Sequence, residues 1–128
     1  MSVALAAVDR SVGHTLRVVL DGNVTFREAR DFQLALLAGY RLGPRTPMLC
    51  DARAMVGAPS ASEVRILAHQ MAPLVEAGLG PVAIVCGTPA IYGVARMFAL
   101  HAESAQATVG AFRDMDEAID WLARQAAA

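Results

Sequence analysis

The stretch Pro81 to Tyr92, PVAIVCGTPAIY, restricts the fold more than any other part of the chain. Val82, Ala83, Ile84 and Val85 form an uninterrupted apolar run that is rich in β-branched residues. A run this short with that composition is a strand rather than a helix. A strand without polar alternation is covered on both faces, as in the middle of a parallel sheet. Gly87 supplies a turn, Thr88 is a natural helix N-cap, and Pro89 stands at the first helical position, where its missing N–H costs nothing. The stretch therefore reads as buried strand, tight turn and helix start.

The other segments fit the same unit. Val3 to Val8 is expected as an edge strand, hairpin-paired with Leu16 to Leu20 across a loop at Asp9 to His14 that contains Gly13. Thr25 and Glu28 have the spacing of a capping box, and the helix that follows turns Ala29, Phe32 and Leu36 to one side. Gly39 or Gly43 ends it, ahead of Pro44 and Pro47. Met48 to Cys50 is a short strand, and Ala52 to Pro59 is expected as a loop. Ser60 and Glu63 form a second capping box. Val64, Leu67, Ala68, Met71, Leu74 and Val75 then recur at helical spacing. Pro73 inside that pattern predicts a kink or a short break, with Gly78 as the C-cap. After the central stretch, Ile91, Val94, Ala95, Phe98 and Ala102 point inward from one helix, whose Gly93 suggests close backbone packing. Thr108 to Phe112 is the last strand. Asp114 caps a final helix with Met115, Ala118, Ile119 and Leu122 as its buried stripe, Trp121 at the edge, and a frayed end from Gln125. The order predicts an α/β fold: a mostly parallel mixed sheet from four successive strand–helix units, with an antiparallel N-terminal edge strand.

A chain of 128 residues is expected to be one domain, able to bury a core without disulfides or metal. The net charge of −1 gives no electrostatic footprint for nucleic acid. Every one of the 11 basic residues is Arg, which, with the abundance of Ala, suggests a GC-rich bacterial genome. No stretch approaches the ~20 apolar residues of a membrane span, and the N-terminus lacks the features of a signal peptide, so a cytoplasmic protein is expected. Hydrophobic residues make up 55% of the chain with only 5% aromatic, and mean hydropathy is +0.42. That excess suggests apolar surface beyond one small core: a subunit interface, with a homodimer as the default, or a ligand cavity.

The chain resembles the SpoIIAA-like group of small bacterial domains, of the STAS and SEC14 (CRAL-TRIO) type. The residues that carry the resemblance are DGNVT at Asp21 to Thr25, MLCDAR at Met48 to Arg53, GPVAIV at Gly80 to Val85 and VGAFRDMDEAIDWL at Val109 to Leu122. The last is the most specific, and together they cover nearly the whole chain. The resemblance implies no enzymatic activity, no cofactor, and either carriage of a small non-polar molecule or partner switching of the anti-sigma-antagonist kind. In the antagonists a phosphorylatable Ser directly follows an Asp at a strand end. Here Asp51 is followed by Ala52 and Arg53, and Ser60 and Ser62 belong to a helix start, so a regulatory module of this type lacks its serine switch.

Candidate chemistry in the residues is sparse. Cys50 and Cys86 fall near the ends of neighbouring strands, but buried inert thiols are the commoner case. His14, His69 and His101 have no partner at metal-ligand spacing. No GxSxG is present, and the Gly87 turn lacks any phosphate-loop pattern. The favoured reading is a small non-polar ligand held between the sheet and the helices that start near Ser60 and Thr88. The residues assigned to it are Asp51, Met55, Val56, Leu67, Met71, Ile91, Tyr92 and Ala95. Asp51 is included because ligands of open α/β sheets sit at carboxyl ends of strands. Ala52 to Val75 is expected to act as a mobile gate hinged at Gly57, with Met97 and Leu100 as further candidates for a cavity or dimer surface.

Overall fold

In the computed structural model, which describes residues 3–9, 15–39 and 41–127, the apolar run at Val82 lies inside a strand. The elements are β1 (Val3–Asp9), β2 (Thr15–Asn23), α1 (Phe26–Gly39), β3 (Thr46–Gly57), α2 (Ala61–His69), α3 (Ala72–Glu76), β4 (Leu79–Cys86), α4 (Pro89–Ala102), a 3-10 turn at Glu103–Ala105, β5 (Val109–Phe112) and α5 (Met115–Ala127). The loop expected through Gly13 and His14 lies outside the described residues, as does Ala128.

The strands form one sheet in the order β1-β2-β3-β4-β5. β2 to β5 run parallel, with Val18 beside Cys50, Cys50 beside Ile84 and Ile84 beside Ala111. β1 pairs antiparallel with β2, from Val3 against Leu20 to Asp9 against Thr15. This order has a consequence for the helices. The parallel strands are added one after another in the same direction, and crossovers between parallel strands are right-handed. Helices α1 to α4 therefore accumulate on one face of the sheet. α5 connects to no further strand among the described residues and covers the opposite face, where Ala118 and Leu122 pack on Leu49, Ala83 and Val85.

Local chemistry sets the helix starts. The Glu28 N–H donates to Thr25 Oγ1 at 3.2 Å, and the Thr25 N–H donates to Glu28 Oε1 at 3.1 Å. The Ser60–Glu63 pair makes the same reciprocal box. Thr88 Oγ1 accepts from the Ile91 N–H, and Asp114 Oδ1 from the N–H groups of Asp116 and Glu117. Helix ends are equally specific. The helix pattern through Pro73 breaks into α2 and α3 at Gln70 and Met71, because Pro73 has no N–H for the carbonyl of His69. Gly78 follows α3 at φ +115°, and a Cβ there would sit 2.5 Å from Gly43 Cα, so no larger residue fits.

Several expectations are corrected. Ala52 to Gly57 is not a loop: β3 runs on to Gly57, held by pairing with β2 as far as Asn23. Sequence hid this because the register shifts along the way and breaks simple alternation. Gly57, expected as the hinge, closes β3, accepts from the Val24 N–H at 3.2 Å and has the Asn23 side chain against it. The segment expected as a gate thus begins in a strand rather than a loop. Gly93 marks no close packing; nothing stands within 4 Å of where its Cβ would be. Ile119 is 37% exposed, because the inner side of α5 is rotated towards Trp121, whose ring lies 5.4 Å from that of Phe112. α5 continues past Gln125 to Ala127, and the Gln125 carbonyl accepts from Arg45 Nη2 at 3.4 Å.

Candidate functional site

Beneath α1 to α4 the buried residues separate into two clusters. One gathers Val18, Leu36, Met48, Cys50, Met71, Leu74 and Val82 towards the amino ends of the strands. The other gathers Val24, Ala52, Met55, Ile91 and Ala95 towards their carboxyl ends. Leu20 and Ile84 pack against both. Where the clusters part there is a half-enclosed cavity of about 150 Å³, lined by residues of both. Its floor is the sheet, from Val18 to Ile84, and its roof is formed by Phe32, Leu67, Ile91 and Phe98 of the helices.

A β-bulge shapes this floor. Val19 pairs with Asp51 but Asp21 pairs with Ala54, so β3 carries one residue more than β2 in that interval. The extra residue reverses the alternation of side chains beyond it. Ala52 and Met55 consequently both line the cavity, while Val56 is turned out to 81% exposure. Of the residues assigned from sequence, the structure brings Met55, Leu67, Met71, Ile91 and Ala95 to the cavity wall. Val56, Asp51 and Tyr92 are not on it.

Asp51 lies on the α5 side of the sheet, beside Val85. Both its oxygens accept from Arg53, from Nε at 2.9 Å and Nη2 at 2.9 Å. These hydrogen bonds hold its carboxyl below the ordinary Asp range. Asp51 also stands at no topological switch point: ligands enter open sheets where the strand order reverses, and from β2 to β5 it never does. Tyr92 packs on the second cluster from outside the cavity, with the Arg96 guanidinium 5.8 Å from its ring centre.

Sequence reasoning missed Gln33. It is 8% exposed, lines the cavity, and donates from Nε2 to the carbonyl of Leu67 at 2.9 Å. That carbonyl is at the end of α2, where the Met71 N–H, its donor in an unbroken helix, bonds Ala68 instead. Gln33 thus completes a helix end that the Pro73 break disrupted. The spacing Ala29, Phe32, Gln33, Leu36 is the i, i+3, i+4, i+7 pattern of an inward face, so position was legible even though residue type argued for the surface.

Both cysteines are buried. Cys50 lies in the cavity wall, and burial pushes its thiol up to about 12. Burial raises Cys86 to about 11, against a smaller opposing pull from Arg113. Both are free thiols and stay protonated at neutral pH. Among the described residues no group of three His, Cys, Asp or Glu could hold a metal ion, and no helix is long and apolar enough to cross a membrane.

No protein-family model matches the chain, and no curated protein does either. Among solved structures, it is similar to an uncharacterized protein of the DUF3478 family from Shewanella loihica PV-4, described as having a SpoIIAA-like fold. The match covers 94% of each chain at a TM-score of 0.62 and 19% sequence identity. The fold of this chain is SpoIIAA-like, in agreement with the resemblance read from its motifs.

Proposed function

We propose that this SpoIIAA-like domain binds a small non-polar molecule in the cavity between its sheet and helices α1 to α4, and catalyses no reaction on it. The observation that carries the reading is the split core: a cavity of about 150 Å³ whose wall is apolar except for the Gln33 amide. A water molecule needs two to four polar partners to be held in such a space, so the cavity favours an apolar occupant over water. A cavity of this size accommodates a ligand on the order of benzene. The absence of chemistry in the reading rests on two thiols raised well above neutrality and on an Asp51 carboxylate turned to the other face of the sheet. The reading places the protein in a reducing cytoplasm, where those thiols remain free.

Titration calorimetry with benzene tests it. The wild type should bind with a dissociation constant on the order of 1 mM, equivalent to about 4 kcal/mol. Leu67→Asp, which puts a charge in the wall, should abolish binding, and Ala95→Leu, which fills the space without a charge, should weaken it at least tenfold. If the folded wild type gives no heat with benzene, the reading is wrong.

A second reading, docking to a regulatory protein or to a second copy of the chain, draws on exposed apolar side chains. Val56 is 81% and Leu100 65% exposed, and Leu34 and Leu37 are on the outer side of α1. Met55, expected to share in such a surface, is buried and belongs to the cavity. Sedimentation of Val56→Ser and Leu100→Ser variants separates the two readings, because neither residue touches the cavity.

A further inference from the structure

Among the described residues the cavity wall contains one polar amide side chain, Gln33, and its hydrogen bonding is incomplete. Only the nitrogen of the Gln33 amide can face the Leu67 carbonyl, since two oxygens there would repel, so the orientation of the amide is settled by chemistry. Its second near neighbour is Met71 Sδ, 3.5 Å from Nε2. Oε1 is buried, and no donor among the described residues reaches it. A buried acceptor left without a donor costs about 1–3 kcal/mol. Among the described residues the remainder of the wall has no charged side chain, so an ionised ligand would lose its hydration without a counter-charge.

We propose that the ligand is a neutral amphiphile carrying one hydrogen-bond donor, a hydroxyl or an N–H, which it gives to Gln33 Oε1 while its apolar body fills the space above Val18, Cys50 and Ile84. This rests on the ligand-binding reading above and narrows it by ligand class. Met71, whose sulfur is 3.5 Å from Gln33 Nε2, is unbranched and adapts to an occupant beside the amide at little cost. Gln33 therefore has two roles in one side chain: its nitrogen completes the broken end of α2, and its oxygen selects the ligand. Fatty-acid anions and organic phosphates are excluded by the same wall, whereas alcohols, phenols and undissociated acids are admitted.

The test is a matched pair of ligands, phenol and toluene, which differ by a hydroxyl in place of a methyl. Affinities are measured by calorimetry on the wild type and on Gln33→Leu. The phenol-to-toluene preference should fall about fivefold in the variant, as expected for one net hydrogen bond of about 1 kcal/mol. Should Gln33→Leu not fold, nuclear magnetic resonance of the wild type decides: phenol should shift the Gln33 side-chain amide signals and toluene should leave them in place. If both ligands bind with the same relative preference in both proteins, or shift the amide equally, the donor proposal is overturned and the apolar cavity stands. If neither ligand binds the wild type, both readings fall together.

Discussion

On the α5 face, Leu49, Ala83 and Val85 of the sheet meet Ala118 and Leu122 in one closed cluster, with Phe112, Met115 and Trp121 around it. On the opposite face β3 and β4, now together with β2, meet α1 to α4, and the buried side chains part into two clusters with a cavity between them. β3 and β4 are shared, so the difference comes from what covers them. A single helix lies along the sheet with one stripe, and small residues such as Ala83 and Ala118 let it approach closely. Several helices must pack on the sheet and on one another. A break at Gln70, a bulge in β3 and a polar Gln33 all fall on that side. Close packing is a property of the first face and an open question of shape on the second.

The comparison can be broken by equal truncations. Leu122 is 6% exposed and Leu67 5%, so Leu→Ala removes the same atoms from equally buried positions. Leu122→Ala should cost about 3–4 kcal/mol of unfolding free energy, since it opens a new void in a packed cluster. Leu67→Ala should cost about 2 kcal/mol, because a side chain at an existing cavity already lacks part of its contacts. Equal losses by urea unfolding would mean that the two faces are packed alike.

Enlarging an alanine should reverse the sign of the effect between faces. Ala118→Leu overfills the α5 cluster and should destabilise by about 1–3 kcal/mol. Ala95→Leu enters the cavity and should be neutral or stabilising by up to about 1 kcal/mol, since it buries apolar surface without displacing a neighbour. Thermal unfolding of the two variants side by side checks this, and destabilisation by both would count against an unfilled space.

Gly93 asks whether the open face is loose in its helices or in how they meet. It lies in α4 with room for a methyl group. Gly93→Ala should stabilise by about 1 kcal/mol through helix propensity. Benzene affinity should remain within about twofold, a change worth roughly 0.4 kcal/mol. A marked loss of affinity would show that the cavity depends on helix flexibility.

The smallest effect belongs to the Asp51–Arg53 pair at the margin of the α5 face. The folded state depresses the Asp51 pKa from 3.8, so its stabilisation is complete above that value and is lost as pH falls through the lowered one. Asp51→Asn should cost at most about 1 kcal/mol near neutrality, as is usual for a solvent-reached pair. The gap between wild type and variant in urea midpoint should narrow as pH falls below 3.8 and close once Asp51 is protonated in the folded state. A gap that persists there would assign the effect to packing rather than charge.

Much of this was present in the residues themselves. The β4 run, the Thr25 and Ser60 boxes, the Thr88 and Asp114 caps and the Pro73 break depend on neighbours within a few positions, which is the range over which backbone hydrogen bonds of turns and helix ends are decided. The inward faces of α2 and α4 were equally legible, and they put Leu67, Met71, Ile91 and Ala95 together before any strand order was known. What sequence could not supply is relative placement. The bulge that separates Met55 from Val56 exists only as a mismatch between two strands. The burial of Gln33 depends on a carbonyl 34 residues away, freed by a proline in another helix. Asp51 and the cavity are on opposite faces because side chains alternate along β3, and which face received the ligand-sized space was decided by the order in which the strands are laid down. Local pattern determined the elements of this protein; the cavity is a remainder left by how those elements meet, and only their packing in three dimensions decides where such a remainder falls.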